Sequence, residues 1–210
     1  DITKFLKNIN AFGNSALEKL VSLSNSSQLD VVHFHDWHFG RLAEKVSKAR
    51  AEGKLNPNLR IVSTIHNALY QGRVPLTDES CATLGFDDKT PLSEFRQNLH
   101  EGHYSFLKTL IDNSDVVATV GKSYAEKFQD TFPGLYTKKE AIRAVPNGIN
   151  FDGFDLNPVQ ADYVYQKAKK SKKPLLTFAS RLVPEKGIDA MILSLKELSQ
   201  QYEVHIVGDY

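Results

Sequence analysis

Apolar residues in this chain fall into short runs that end abruptly in polar groups, separated by stretches whose apolar positions recur every three or four residues. The clearest run is Leu29 to His35, LDVVHFH, which has the length and β-branched content of a buried strand and is followed by Asp36, Trp37 and His38. Arg60–Ile65 is a second strand, ending in His66, and Asp115–Val120 is a third. Ala141–Val145 is a fourth, ending at Pro146-Asn147-Gly148. Leu175–Ala179 is a fifth, ending at Ser180-Arg181, and Val204–Val207 is a sixth. Helical spacing is predicted over Ile2–Leu23, with Gly13 as a break, and over Phe39–Ala51, Phe95–Ile111, Ser123–Phe128 and Gly187–Leu198. Asn67 to Pro91 has weak periodicity and reads as a long functional loop. Strands alternating with helices predict parallel α/β layers.

Charge changes this picture little. The net charge of +1 gives no electrostatic case for binding nucleic acid or a membrane surface. A single cysteine, Cys81, excludes an internal disulfide, and there is neither a long apolar span nor a signal-peptide pattern, so a cytoplasmic location is expected. The chain opens on Asp1 and stops just after a strand, which predicts a piece of a longer protein. Composition shifts between Asn147 and Lys173, where KAKKSKK reads as a solvated helix end, and this marks a domain junction: 1–155 before it, 156–210 after.

The polar strand ends carry the candidate chemistry. In an open α/β sheet, ligands bind outside the carboxyl ends of the strands, where Asp36, His66, Asn147 and Arg181 all stand. Arg181 leaves a strand, Lys186 lies five residues on, and Gly187 opens a helix. Two fixed cations beside a helix N-terminus suit a diphosphate. Isolated His103 and His205 read as satisfied or solvent-facing residues. The run HFHDWH, with His33, His35, Asp36 and His38, also invites a zinc hypothesis and is similar to the HxHxDH run of metallo-β-lactamase-like hydrolases, but the aspartate is displaced in detail. No metal is expected.

DVVHFHDWHFG, STIHNALYQG (Ser63–Gly72), SFLKTLIDNSDVVATVGKSYAEKF (Ser105–Phe128), PNGIN (Pro146–Asn150) and SRLVPEKGID (Ser180–Asp189) follow one another in an order and spacing that resembles bacterial and plant-type glycogen/starch synthases. Five separate blocks agree over residues 29 to 210. The resemblance implies a GT-B glycosyltransferase with two Rossmann-like domains facing each other across a cleft. This chain would hold the later part of the first, acceptor-side domain and the start of the nucleotide-sugar-binding one. Three stretches depart from the family pattern: Glu101-Gly102-His103, Val120-Gly121-Lys122 and the loop from Arg73 to Pro91.

Carried over residue by residue, the resemblance makes His66 the active-site histidine near the donor glucose and Asp36 the cleft aspartate. Arg181 and Lys186 become the pair that holds the diphosphate. Asn67, Tyr70 and Gln71 become rim contacts for donor or acceptor hydroxyls, with Asn147 and Gly148 as further substrate-binding positions. His33 and His35 read as scaffold. The implied reaction is retaining transfer of glucose from ADP- or UDP-glucose to the non-reducing end of an α-1,4-glucan, with no cofactor, and the resemblance leaves the oligomeric state open. The competing readings are a GT-B transferase with a protein or small-molecule acceptor, a non-catalytic sugar- or nucleotide-binding module, and a metallohydrolase.

Overall fold

A computed structural model describes residues 2–26, 29–75, 77–85, 99–150, 162, 165–166, 169–170, 173–198 and 201–209. They form two compact units, Asp1–Gly148 and Ile149–Tyr210. The boundary read from the sequence, between 155 and 156, lies outside the described residues.

The first unit is built on a parallel sheet in which β1 (Val31–His35), β2 (Arg60–Ile65), β6 (Val116–Thr119) and β7 (Arg143–Ala144) lie side by side in that order. In β1, Val32 and Phe34 are buried while Val31, His33 and His35 are exposed, so a single period-2 alternation sends Val32 and Phe34 inward and the imidazoles, with Val31, outward. β2 is an inner strand, between β1 and β6, and Ile61, Ser63, Thr64 and Ile65 are all buried. Val32, Phe34, Ile61 and Ile65 pack with Leu42 and Val46 of α2 (Gly40–Ala51) and with Leu107, Leu110 and Ile111 of α4 (Phe106–Asp112) in one apolar core.

α1 spans Ile2–Ser26 without interruption, so Gly13 does not break it. Gly13 is buried against α2, and the position is one where the helix gains a close neighbour rather than a turn. Gly40, at the start of α2, has no room for a side chain at all: a Cβ there would lie 2.1 Å from the Phe106 carbonyl oxygen.

The helix expected over Phe95–Ile111 begins only at Phe106. Residues 95–98 lie outside the described residues, and Leu99–His100 (β4) and His103–Ser105 (β5) form an antiparallel hairpin, with Leu99 opposite Tyr104 and His100 opposite His103. Glu101 and Gly102 make the two-residue turn with φ of 51° and 76°, the positive values such a connection needs. β3 (Arg73–Val74) adds to β5, giving a small second sheet. The long loop also contains α3 (Asp78–Thr83), started by a capping box between Thr77 and Ser80. α5 (Lys122–Thr131) follows β6 and brings Phe128 into the main core.

In the second unit, β8 (Leu175–Ala179) and β9 (Glu203–Val207) pair in parallel, and α6 (Ile188–Leu198) lies between them in the chain. The basic segment KAKKSKK, residues 167–173, lies largely outside the described residues.

Candidate active site

The carboxyl ends of β1 and β2 are stitched together by Asp36. Its backbone N–H continues the ladder to the Thr64 carbonyl at 3.0 Å, and its Oδ1 accepts the backbone N–H groups of His66 at 2.8 Å and Asn67 at 3.3 Å. Asp36 itself has φ 60°, ψ 175°, a region that non-glycine residues rarely occupy and that costs about 1–3 kcal/mol. The three hydrogen bonds hold the residue there. Strain stored at a strand end and over-determined by its surroundings is a common property of functional sites.

The imidazoles of β1 share the face of Thr64, as the register His33↔Val62 and His35↔Thr64 dictates. His33 Nε2 lies 2.8 Å from Thr64 Oγ1, and His35 Nδ1 lies 3.0 Å from His66 Nε2. The His33 and His35 rings are 4.3 Å apart between centroids, and those of His35 and His66 5.3 Å. Burial, and then the proximity of His35 and His66, push the His33 imidazole below its ordinary value. His35 is therefore not simple scaffold: it touches His66 directly. His38 stacks on Trp37 and is exposed. Among the described residues, no group of three or more His, Cys, Asp or Glu side chains is arranged to hold a metal ion.

Beyond His66 the chain turns outward. Asn67 Oδ1 accepts the Leu69 N–H at 2.9 Å, an Asx turn that commits its carbonyl and leaves its amide nitrogen as the group to offer a ligand. Trp37, Leu69, Tyr70, Gln71, Gly72 and Arg73, with Phe132, line a depression of about 460 Å³. Tyr70 is exposed and Gln71 is buried. Gln71 Oε1 accepts from Arg73 Nε at 2.9 Å, and its backbone carbonyl accepts the Leu107 N–H at 3.1 Å, so Gln71 anchors the rim to α4. Gly72 has φ 58°, and a Cβ there would lie 2.2 Å from Trp37 Cε3, so the indole closes directly over the backbone.

Tyr124, on α5, was not marked by any sequence motif of its own. Its hydroxyl accepts the Ala68 N–H at 2.8 Å, which pins the segment after His66. Burial and the Asp36 charge push the Tyr124 phenol up, against the Ala68 hydrogen bond. The signals available were its place within the Ser105–Phe128 block and in the helix that follows the third parallel strand. Asn147 and Gly148 lie beyond β7 and are exposed.

Arg181 and Lys186 belong to the second unit. The Ser180 N–H donates to Val207 O at 3.0 Å and the Leu182 N–H to Asp209 O at 2.6 Å, so the segment carrying Arg181 extends the strand pairing past β8. A 3₁₀ turn over Pro184–Lys186 leads to Gly187, whose carbonyl accepts the Met191 N–H at 3.0 Å and so opens α6. Both cationic side chains are exposed, and neither forms an ion pair among the described residues. Asp189 shares the first turn of α6.

Comparison with known proteins places the chain by family and fold. Residues 2–143 match the family model described as the starch synthase catalytic domain, so the match reaches into α1, upstream of the five sequence blocks. The glycogen synthase of Bacillus licheniformis is 27% identical over 224 residues, covering 93% of this chain and 45% of its own length. That of Mycoplasma mobile is 29% identical over 229 residues, covering 92% and 45%. The chain thus spans about half the length of these relatives. Among solved structures, the catalytic domain of starch synthase IV from Arabidopsis thaliana, bound to ADP and acarbose, superposes with a TM-score of 0.72 at 20% identity, covering 98% of this chain and 47% of that one. The fold is the α/β, GT-B fold of that domain.

Proposed function

Because the chain belongs to the starch synthase catalytic domain family, we propose that the whole protein is a retaining glucosyltransferase that moves glucose from ADP- or UDP-glucose to the non-reducing end of an α-1,4-glucan. The observation that carries this reading is the strained Asp36 clasp, which fixes His66 at the carboxyl ends of two parallel strands. The Arabidopsis relative was solved with ADP and acarbose, a nucleoside diphosphate and an oligosaccharide-like ligand, and the same ligand classes are assigned to this protein.

In the proposed reaction the bond from the anomeric carbon to the diphosphate breaks and a bond to an acceptor hydroxyl forms on the same face. Negative charge collects on the departing diphosphate. Lys186, in the turn that leads into α6, and Arg181, just past β8, would take that charge, and preorganised electrostatic groups usually supply the largest catalytic contribution. Attack from the leaving-group side places the departing phosphate oxygen next to the acceptor hydroxyl, where it can receive the proton. His66 would orient the sugar, with Asn67, Tyr70, Asn147 and Gly148 as contacts to donor or acceptor; Gln71 would act by holding the rim. No metal or cofactor is required in this proposal, because the two side-chain cations would take the charge that a metal ion could otherwise take. A cytoplasmic location fits a nucleotide-sugar substrate and the lone Cys81, and no helix among the described residues is long and apolar enough to cross a membrane. Glucan-dependent release of nucleoside diphosphate by the intact protein tests the proposal.

A further inference from the structure

We propose that His35 is a positioning residue for His66: it fixes the tautomer and ring plane of that imidazole, so that His66 presents one defined nitrogen to the sugar. This rests on the placement of His66 at the substrate, as proposed above. The observation that carries it is the contact between His35 Nδ1 and His66 Nε2 at 3.0 Å, with the two rings inclined by 30°. A hydrogen bond between two imidazole nitrogens needs one that bears a proton and one that is bare. With Nε2 engaged by His35, Nδ1 is the only polar atom His66 has left for a ligand. Its state is tied to His35. When His35 donates, His66 carries its proton on Nδ1 and can only donate there; when His66 donates, its Nδ1 is bare and can only accept.

The backbone and the side chain of His66 are then held by separate groups. Asp36 Oδ1 grips its N–H at 2.8 Å, and His35 grips its ring. The arrangement depends on the parallel register, which sets His35 beside Thr64 and so brings the next outward residue of the β2 end, His66, within reach. His33 supports the row from behind, bonded to Thr64 Oγ1 at 2.8 Å and packed on the His35 ring. Burial in the core gives no competing explanation for His35, because its side chain is exposed.

The test uses the intact protein labelled with nitrogen-15 at histidine, with the His66 signals assigned by their loss in His66→Gln. In wild type, His66 should show one dominant tautomer. His35→Ala should shift both His66 ring nitrogens toward tautomer-averaged values. His35→Asn should restore the wild-type pattern, because an asparagine amide reaches the position of Nδ1. In glucosyl transfer, His35→Ala should lower kcat about tenfold, more than it changes KM for the nucleotide-sugar, with recovery in His35→Asn and little change in thermal stability. Unchanged His66 nitrogen signals in His35→Ala would overturn the proposal. If those signals shift but His66→Ala transfers glucose at the wild-type rate, the reading of His66 fails, and the positioning role with it, while the hydrogen bond itself stands.

Discussion

The Asp36 carboxylate accepts the backbone N–H of His66 at 2.8 Å while Asp36 itself sits at φ 60°, ψ 175°. The two facts predict an unusual order of substitutions. Asp36→Ala removes the acceptor for His66 and Asn67 and keeps the strained backbone, so it should lose about 1–2 kcal/mol. Asp36→Gly removes the same acceptor but relieves about 1 kcal/mol or more of strain, so glycine should be better tolerated than alanine. Urea midpoints of the two variants measure this. Alanine more stable than glycine would show that the strand end is not strained.

Two helical glycines should respond to alanine with opposite signs. At Gly40 the new methyl would meet the Phe106 carbonyl at 2.1 Å, backbone against backbone, and separating α2 from α4 should cost about 1–3 kcal/mol or more. At Gly13 the nearest atom is Leu42 Cβ at 4.0 Å, an ordinary contact, so Gly13→Ala should stabilise α1 by about 0.5–1 kcal/mol. Thermal melts of the two variants should move in opposite directions.

Asp115 locks α2, β2 and β6 together. Its Oδ2 accepts from Arg50 Nη1 at 2.6 Å and from the Ile61 N–H at 2.7 Å, and its Oδ1 accepts from Arg50 Nη2 at 3.2 Å. Burial pushes the carboxyl up, but these hydrogen bonds and the charges of Arg50 and Arg60 outweigh it and hold the group below the ordinary value of 3.8. A depressed carboxylate contributes stability that is present above the unfolded value and lost as pH falls through the folded one. Asp115→Asn should therefore cost about 1–3 kcal/mol at neutral pH, and the gap to wild type should narrow below pH 3.8. Urea midpoints across that range check it; a constant gap would contradict the assignment.

What the sequence made legible follows from which interactions are local. The strands ending at His35 and Ile65 stand out because an apolar run of the right length gives way at once to polar residues, and the α/β class follows from their alternation with helices. Helical spacing extends across the hairpin at 99–105 because Leu99 and Phe106 are seven residues apart, two helical turns, and hydrophobic spacing cannot separate that from two strands; Gly102 in the Glu101-Gly102 turn is the better guide. α3 was hidden in a loop of weak periodicity, although Thr77 and Ser80 had the form of a helix start. Asp36 and His66 were identifiable as strand ends, but the contact between His35 and His66 depends on the register of two strands separated by a whole helix, and no local pattern encodes it. The same holds for Tyr124, which reaches Ala68 from a helix far along the chain.

Arg181→Ala and Lys186→Ala in the intact protein should each slow transfer on the order of a hundredfold at saturating donor, the scale of losing one preorganised charge-stabilising group. Both side chains are exposed, Arg181 just past β8 and Lys186 in the Pro184–Lys186 turn, so folding should be little affected. Initial rates of product formation, with thermal stability as control, check this; full activity in both variants would remove the diphosphate from this site.

The decisive measurement offers the intact protein a panel of nucleoside-diphosphate sugars, with and without an α-1,4-glucan, and follows released nucleoside diphosphate together with glucan elongation. Release from ADP-glucose or UDP-glucose should depend on the glucan and be matched by its elongation with the α configuration kept. Binding of nucleotide or glucan with no consumption of any donor would contradict the proposed function.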